Sequence, residues 1–510
     1  MDHNLISGER RLPLIEFHLR TQRIARGLVE AGIVEGDSVA LLLRNDIAFL
    51  EATFGAALIG AYSVPINWHF RQGEIQYVLN NCAAKVIVAH SDLTSNLPPT
   101  LAKTAKILVV PTPPEIQLAY DLTDEECTPK DGSIIWDSWW QQFTPWTEPP
   151  APARGSMIYT SGTTGTPKGV RRAPASIESQ VTMMELIQLG FGLRPAATTL
   201  MPGPLYHSAP NAYARAVIAL GGDLILMPRF SAQEFLDLVE KYSITHSHMV
   251  PTMFVRLLNL TRTERGSRNL SSLESIVHGA APCPPQIKQQ MIDWWGLKIH
   301  EYYGSTEAGL VTFVTSSEWL EKRGTVGQPL PNCVIRVFGD DGEVLGPGEI
   351  GDIFVNLPLG LNFTYHNDDQ KRAEIERDGL ITNGDRGYLD EDNYLFLSDR
   401  RADMVISGGV NIYPAEIEAI LISLEGVRDC AVFGIPDVEF GEALAAAIEP
   451  HPNSTLTESI VQNYVRKNMA GYKVPKLVTF HDHLPREDSG KIFKRLLRDT
   501  YWKNDDTKKN

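Results

Sequence analysis

The chain has 510 residues, 43% of them apolar, with 62 acidic against 47 basic side chains and a formal charge of −15. That length exceeds what one hydrophobic core serves, so two or more folded domains are expected and a disordered chain is excluded. An acidic balance without a basic patch also argues against nucleic acid or anionic membrane surfaces as partners.

Five cysteines, Cys82, Cys127, Cys283, Cys333 and Cys430, are odd in number and show no C-x-x-C spacing, which points away from a disulfide framework or a zinc site and toward a reducing cytoplasm. Glu9, Arg10, Arg11, Glu16 and His18 interrupt the first twenty residues, so no secretory signal is expected. The most apolar long run, 48–66, contains Glu51, several glycines and Pro65 and is too broken to span a bilayer.

In chain order, Phe17, Ile24, Leu28 and Ala31 share one helical face that ends at Gly32, and Ser38-Val-Ala-Leu-Leu-Leu43 reads as a buried strand. Asp46 is placed to cap a second helix, and residues 63–66 and 85–89 read as further strands. Strands alternating with helices predict a parallel sheet covered by helices. From 111 to 155 the pattern decays into Pro, Asp, Thr and Trp, which reads as a surface excursion. The rhythm resumes with strands at 223–227 and 275–278 and a helix at 232–242. Residues 324–397 are rich in strands and turns, with Asp340-Asp-Gly342 and Asn383-Gly384 as hairpin signals, and predict a small antiparallel sheet or barrel. After Arg401 a compact unit begins, with a helix opening at Pro414, a strand at 428–435, a helix capped by Thr457 and a strand at 476–480.

The stretch Met157-Ile-Tyr-Thr-Ser-Gly-Thr-Thr-Gly-Thr-Pro-Lys-Gly-Val170 carries the most chemistry. An apolar run empties into a loop whose glycines turn backbone amides into one concavity, whose hydroxyls add donors, and whose Lys168 adds a point charge. Such a loop grips phosphate, although its spacing is not the Walker pattern. Glu301-Tyr-Tyr-Gly-Ser-Thr-Glu307, at an expected carboxyl edge of the sheet, offers an aromatic face, a hydroxyl and a carboxylate hard enough for Mg2+. His278-Gly-Ala-Ala-Pro282 is a strand end followed by small residues. Thr382-Asn-Gly-Asp-Arg-Gly-Tyr-Leu-Asp390 holds Asp385, which by itself reads as hairpin chemistry after Asn383-Gly384. Leu484-Pro-Arg-Glu-Asp-Ser-Gly-Lys-Ile492 sets Lys491 before an amphipathic segment, where most lysines are simply solvated.

Together these ordered motifs resemble those of the adenylate-forming superfamily, which contains acyl- and aryl-CoA synthetases, nonribosomal peptide adenylation domains and luciferases, and most of all its acyl-CoA synthetase branch. The resemblance implies an α/β fold: a large N-terminal domain of helix-covered sheets with a small β-rich subdomain, and a smaller mobile α+β C-terminal domain. The corresponding boundaries are 1–399, a hinge at 400–402, and 403–510. It implies that Thr160, Ser161, Gly162, Thr163, Thr164, Gly165 and Lys168 hold the phosphates of ATP, with Glu307 and Thr163 on Mg2+. By the same resemblance Gly279, Ala280, Ala281, Tyr302, Tyr303, Gly304 and Thr306 frame adenine and ribose, and Asp385 and Arg400 take the ribose hydroxyls or phosphate.

Lys491 becomes the lysine that bridges carboxylate and α-phosphate, and Ser407, Gly408 and Gly409 line a tunnel for coenzyme A. His207 becomes the gate to an acyl pocket with Ala209 and Met249, flanked by Pro251 and Met253, though a lone His near Pro and Tyr is more often structural. The implied reaction is ATP-dependent, AMP-forming ligation of an apolar carboxylic acid, a medium- or long-chain fatty acid or a bulky ring acid, to coenzyme A. The alternative implied by fatty-acyl-AMP ligases of the family is loading of a carrier-protein phosphopantetheine. A homodimer is compatible with either. The chain departs from the family pattern at Asn383, inserted in a Thr-Gly-Asp string, at Leu380, where Trp is frequent, and at Ala402, where Asp or Lys is frequent.

Overall fold

The structure, a computed structural model, describes residues 3–99, 101, 105–152, 154–160, 167–357, 362–400, 403–407, 410–486 and 492–506. The first helix-covered sheet has the order Tyr62–Pro65, Ser38–Leu42, Val86–His90, Lys106–Val110, Ile134–Ile135, with every neighbouring pair parallel. Ser38–Leu42 is buried at all its positions, as a continuous apolar run covered on both faces must be. The helices Leu14–Glu30 and Ile47–Leu58 share one core with this sheet and the next, and a Cβ at Gly55 would stand 2.5 Å from Ile24 Cγ2, so only glycine permits their crossing. Asp46 does cap the second helix, its carboxylate accepting from the Ile47 amide at 2.7 Å.

A nine-stranded sheet follows, ordered Gln328–Pro329, Gly309–Val314, Ile299–Ser305, Ser275–His278, His246–Met249, Thr198–Met201, Asp223–Leu226, Asn4–Ser7, Arg10–Pro13. Its central strands from Thr198–Met201 to Ile299–Ser305 run parallel, so their carboxyl ends line one edge. The strands present alternate residues to two cores: Met201, Leu226, Val277 and Tyr302 to the core shared with the first sheet, and Leu200, Ile225, Met249 and Ile276 to the other.

Residues 111–155 are not the surface excursion that the decaying pattern suggests. They contain the helices Pro114–Tyr120 and Trp136–Trp140, and Trp136, Trp139 and Trp140 are 1%, 5% and 6% exposed. Helices this short show no periodicity, and their burial comes from aromatic side chains packed against the first helix.

The small antiparallel sheet is present, formed by Ile335–Phe338, Gly351–Asn356, Leu380–Leu389 and Glu376–Arg377, with Leu395–Arg400 paired to Leu380–Leu389. Asp340-Asp-Gly342 is its turn, closed by Gly339 N to Glu343 O at 2.9 Å. Asn383-Gly384 is not a hairpin turn. It lies inside Leu380–Leu389, where Gly384 has φ +78 and the pairing jumps from Thr382–Phe354 to Arg386–Asp352, a bulge that re-aims Asp385.

From Val405 onward the chain builds its own sheet, Val410–Ile412, Val405–Ser407, Gly441–Pro450 and Val427–Asp437, with Leu477–Phe480 parallel to Gly441–Pro450. Pro414 opens the helix Pro414–Leu421, and Thr457 caps Glu458–Asn468. Ile417, Leu421, Val432 and Val461 give this unit a separate core. All five cysteines are free, and among the described residues no helix is long and apolar enough to cross a membrane.

Glu51, 2% exposed, accepts from Trp136 Nε1 at 3.1 Å and lies 3.3 Å from Arg20. Burial pushes its carboxyl up from 4.5 to about 7. The folded state then holds a proton that the unfolded chain has released, so the stabilising contribution is full below 4.5 and is lost as pH rises through about 7. Glu51→Gln keeps an acceptor for Trp136 and removes the cost of a buried charge. Its unfolding midpoint should exceed the parent's at pH 8, by the equivalent of at most about 3 kcal/mol, with no gain at pH 4. Equal gains or losses at both pH values would contradict this.

Candidate active site

The predicted phosphate segment is a hairpin. Ile158–Thr160 and Lys168–Arg172 pair antiparallel with Thr160 opposite Lys168, and Ser161, Gly162, Thr163, Thr164 and Gly165 lie outside the described residues. A third strand, Phe363–Tyr365, pairs with the far edge of Lys168–Arg172. It delivers Tyr365, whose ring centroid is 5.6 Å from Lys168 Nζ and whose hydroxyl donates to Glu307 Oε1 at 3.1 Å. Lys168 and Glu307, far apart in sequence, therefore meet at one aromatic ring. Burial and the Glu307 charge hold the Tyr365 phenol above its usual range, so it stays a donor.

Arg172, two turns of the pleat beyond Lys168, reaches the same place from behind. One guanidinium nitrogen donates to the carbonyls of Thr306 at 2.6 Å and Glu307 at 3.0 Å. Desolvation lowers its pKa to about 10, which leaves it cationic at neutral pH. These contacts fix the turn between Ile299–Ser305 and Gly309–Val314, with Ser208 Oγ against Thr306 Oγ1 at 3.0 Å.

The two neighbouring tyrosines separate. Tyr303 reaches Asp385 Oδ2 at 2.8 Å, and Asp385 sits opposite Arg400 in the strand pair. Tyr302 is not with them. Its side chain points to the opposite face of the strand, hydrogen-bonded to His248 Nε2 at 2.9 Å and edge-on to Phe191. Strand alternation is the reason, since adjacent residues take opposite faces. Gly279, at the end of Ser275–His278, touches the back of this ring: a Cβ there would stand 2.6 Å from it. Ala280 follows with φ +68, a turn that carries Ala281 along the carboxyl edge, and Gly304 packs so closely on Gly309 that a Cβ would lie 2.1 Å from its carbonyl oxygen.

His207 occupies the cap position of the helix Ser208–Ala219, its ring 4.4 Å from that of Tyr206. Ala209 packs on the core shared by the two large sheets. Met249 does not join it. Fully buried, it lies on the other sheet face with Met253, while its neighbour His248 faces the Ala209 side. Without a register, sequence could not choose between the two. Ser407 ends a short strand opposite Val410 and Gly441. Gly408, Gly409, the hinge pair 401–402 and Lys491 lie outside the described residues, and Arg486 and Ile492 form a bridge on either side of Lys491.

Arg172, Tyr365 and His248 are the residues that sequence reasoning missed. Only the Arg171-Arg172 doublet directly after the phosphate hairpin offered a signal. Beside Lys168 a polar cleft of about 510 Å³ opens, lined by Tyr77, Asn81, His366, Asn367 and Lys371 among others. For a divalent cation, the second oxygen of Glu307 has no hydrogen-bond partner among the described residues. No group of three His, Cys, Asp or Glu gathers among those residues either. One hard carboxylate fits Mg2+ held mainly by nucleotide phosphates rather than by a protein cage.

Residues 2–362 match the AMP-binding enzyme family, and residues 416–491 match the AMP-binding enzyme C-terminal domain. A feruloyl-CoA synthase from an Amycolatopsis species is 33% identical over 493 residues, covering 96% of this chain and 94% of that protein. The fatty acid–[acyl-carrier-protein] ligase ScoC of Streptomyces coeruleorubidus is 30% identical over 500 residues, covering 97% and 92%. Among solved structures, o-succinylbenzoate-CoA synthetase of Bacillus subtilis with its acyl-adenylate intermediate superposes with a TM-score of 0.79 at 25% identity, over 97% of this chain and 95% of that one.

Arg172→Met removes the donor from two carbonyls at once. Hydrogen exchange of the amides at 305–309 should then quicken by roughly tenfold or more, the loss of a charged hydrogen bond. Tyr365→Phe, which removes one hydroxyl, should do less. Unaltered exchange in the arginine variant would refute the anchoring role.

Proposed function

The chain belongs to the AMP-binding enzyme family and is an acid–thiol ligase, and we propose that it activates an apolar carboxylic acid with ATP and passes it to coenzyme A. The observation that carries this reading is the convergence of Lys168 and Glu307 on Tyr365. A phosphate-gripping lysine and a metal-competent carboxylate at one ring suit a nucleoside triphosphate.

The chemistry brings two anions together. A carboxylate oxygen attacks the α-phosphorus, the bond to the bridging β-oxygen breaks, and pyrophosphate leaves with the electron pair. The CoA thiolate then attacks the acyl carbon, the C–O bond to phosphate breaks, and AMP departs. Repulsion and charge at the α-phosphate dominate the barrier, so oriented cations and donors matter more than a base.

In this reading Lys168 and the loop 160–165 hold the outer phosphates. Glu307, with Thr163, would hold Mg2+, which supplies charge neutralisation on the triphosphate when bound. Tyr303 lends its ring to adenine, with Gly279, Ala280 and Ala281 framing it, and Asp385 with Arg400 takes the ribose. The Tyr303–Asp385 hydrogen bond supports that grouping by presetting the carboxylate. His207, at the cap beside the Ser208–Thr306 contact, stands where acyl and nucleotide halves would join.

The units 1–399 and 403–510 are read as domains turning about 400–402. One orientation brings Lys491 to the carboxylate and α-phosphate, and another presents Ser407, Gly408 and Gly409 to pantetheine. The separate core of the second unit supports that division. Five free cysteines suit a reducing compartment such as the cytoplasm.

With ATP, Mg2+, an acid panel and CoA, mass spectrometry should find AMP, pyrophosphate and acyl-CoA. ADP as the nucleotide product would rule the mechanism out. Because one relative is named as a carrier-protein ligase, holo-carrier protein belongs beside CoA in the assay, and thioester on the carrier alone would favour that acceptor. Lys491→Ala should slow pyrophosphate exchange by about a hundredfold or more while ATP binding stays within a few-fold. An unaffected exchange rate would remove Lys491 from the chemistry.

A further inference from the structure

The helix Gln72–Cys82 buries Ile75, Val78, Leu79 and Cys82 in a core shared with the first sheet, and its last turn brings Asn81 to the three-stranded sheet that carries Lys168. A helix leaves its last carbonyls without intrahelical donors. Here the Asn81 carbonyl accepts from Asn367 Nδ2 at 3.3 Å and from the His366 imidazole, and both residues directly follow the strand Phe363–Tyr365. The Asn81 side chain reaches the other outer strand, its Oδ1 accepting from the Tyr159 hydroxyl at 2.6 Å. One residue thus grips both strands that flank Lys168–Arg172.

The grip reaches Lys168 through Gly169. Tyr159 pairs opposite Gly169, where a Cβ would stand 2.9 Å from Tyr159 Cζ and 3.2 Å from its Oη, so the phenol presses on the backbone next to Lys168. From the other edge, the Gly169 carbonyl accepts from the His366 amide at 2.8 Å. Burial holds the Tyr159 phenol well above its usual range, so it remains a donor at neutral pH. Lys168 itself borders the polar cleft of about 510 Å³ that Asn81 helps to line. A lysine stem is flexible, so beside open space its ammonium is placed only as firmly as the backbone beneath it.

We propose that Asn81 is a positioning residue for Lys168: through Tyr159 and Gly169 it fixes the backbone from which the ammonium meets the outer phosphates of ATP. The inference rests on the phosphate reading of Lys168 and goes beyond it. Asn81 touches no phosphate in this account, so its influence exists only while Lys168 is present to transmit it.

Calorimetry of Mg·ATP binding tests this with no acid present. Asn81→Leu cuts the Tyr159 bond while the backbone carbonyl keeps its two donors, and the dissociation constant should rise roughly tenfold. Tyr159→Phe cuts the same bond by removing one oxygen, should give a similar rise, and carries the same test if the leucine variant does not fold. The double variant should bind no more weakly than the weaker single. In a Lys168→Gln background, either change should alter the constant less than twofold, while the thermal midpoint falls by the same amount as in the parent. Unchanged ATP binding in both single variants, or an equal loss with and without Lys168, would overturn the proposal, because a residue that merely supports the fold acts alike in both backgrounds. If Lys168→Gln alone left the constant unaltered, the phosphate reading would fall and this inference with it.

Discussion

The arrangement depends on a crossing of two strands near their ends. Arg172 grips the carbonyls of Thr306 and Glu307 from one side, while Tyr365, hydrogen-bonded into the strand next door, holds the Glu307 carboxylate from the other. A half-buried arginine with two carbonyl acceptors makes strong charge-assisted hydrogen bonds, and a carboxylate with one oxygen engaged keeps a defined direction for the second. The strand pair carrying Lys168 and the end of the nine-stranded sheet are thereby held together. Without that lock, a lysine on one sheet and a carboxylate on another would have no fixed relation.

The rest of the site follows from strand geometry. At the carboxyl edge, alternation sends Tyr303 to Asp385 and Tyr302 to His248, so one tyrosine pair reaches two opposite faces of the strand. Gly279 sits against the Tyr302 ring with no room for a methyl group. The bulge at Gly384 turns Asp385 toward Tyr303, and the buried Arg386 beside it pairs with Asp340 and Asp352 to hold the bulge in place.

Much of the fold was legible because its signals are local. The cap at Asp46, the buried run Ser38–Leu42, the Pro414 helix and the antiparallel region after Gly324 each depend on residues within one turn or one strand. Legibility failed where partners are distant. The tryptophans at 136–140 look like loop residues until the first helix is laid over them. Asn383-Gly384 carries turn chemistry that a neighbouring strand converts into a bulge. Tyr302 and Met249 lie on faces opposite Tyr303 and Ala209, which motifs cannot foretell because they give spacing but not pleat. Arg172 and Tyr365 act through contacts spanning more than fifty residues, which no window of sequence contains.

The central claim is that this edge joins the acid's own oxygen to the α-phosphorus of ATP. Supplying a ligated acid with both carboxylate oxygens as 18O, with CoA and unlabelled ATP in unlabelled water, tests it most directly. One 18O should appear in the AMP and one in the thioester carbonyl, because the acyl C–O bond breaks in the second step. AMP without label, or label in the pyrophosphate, would contradict the account.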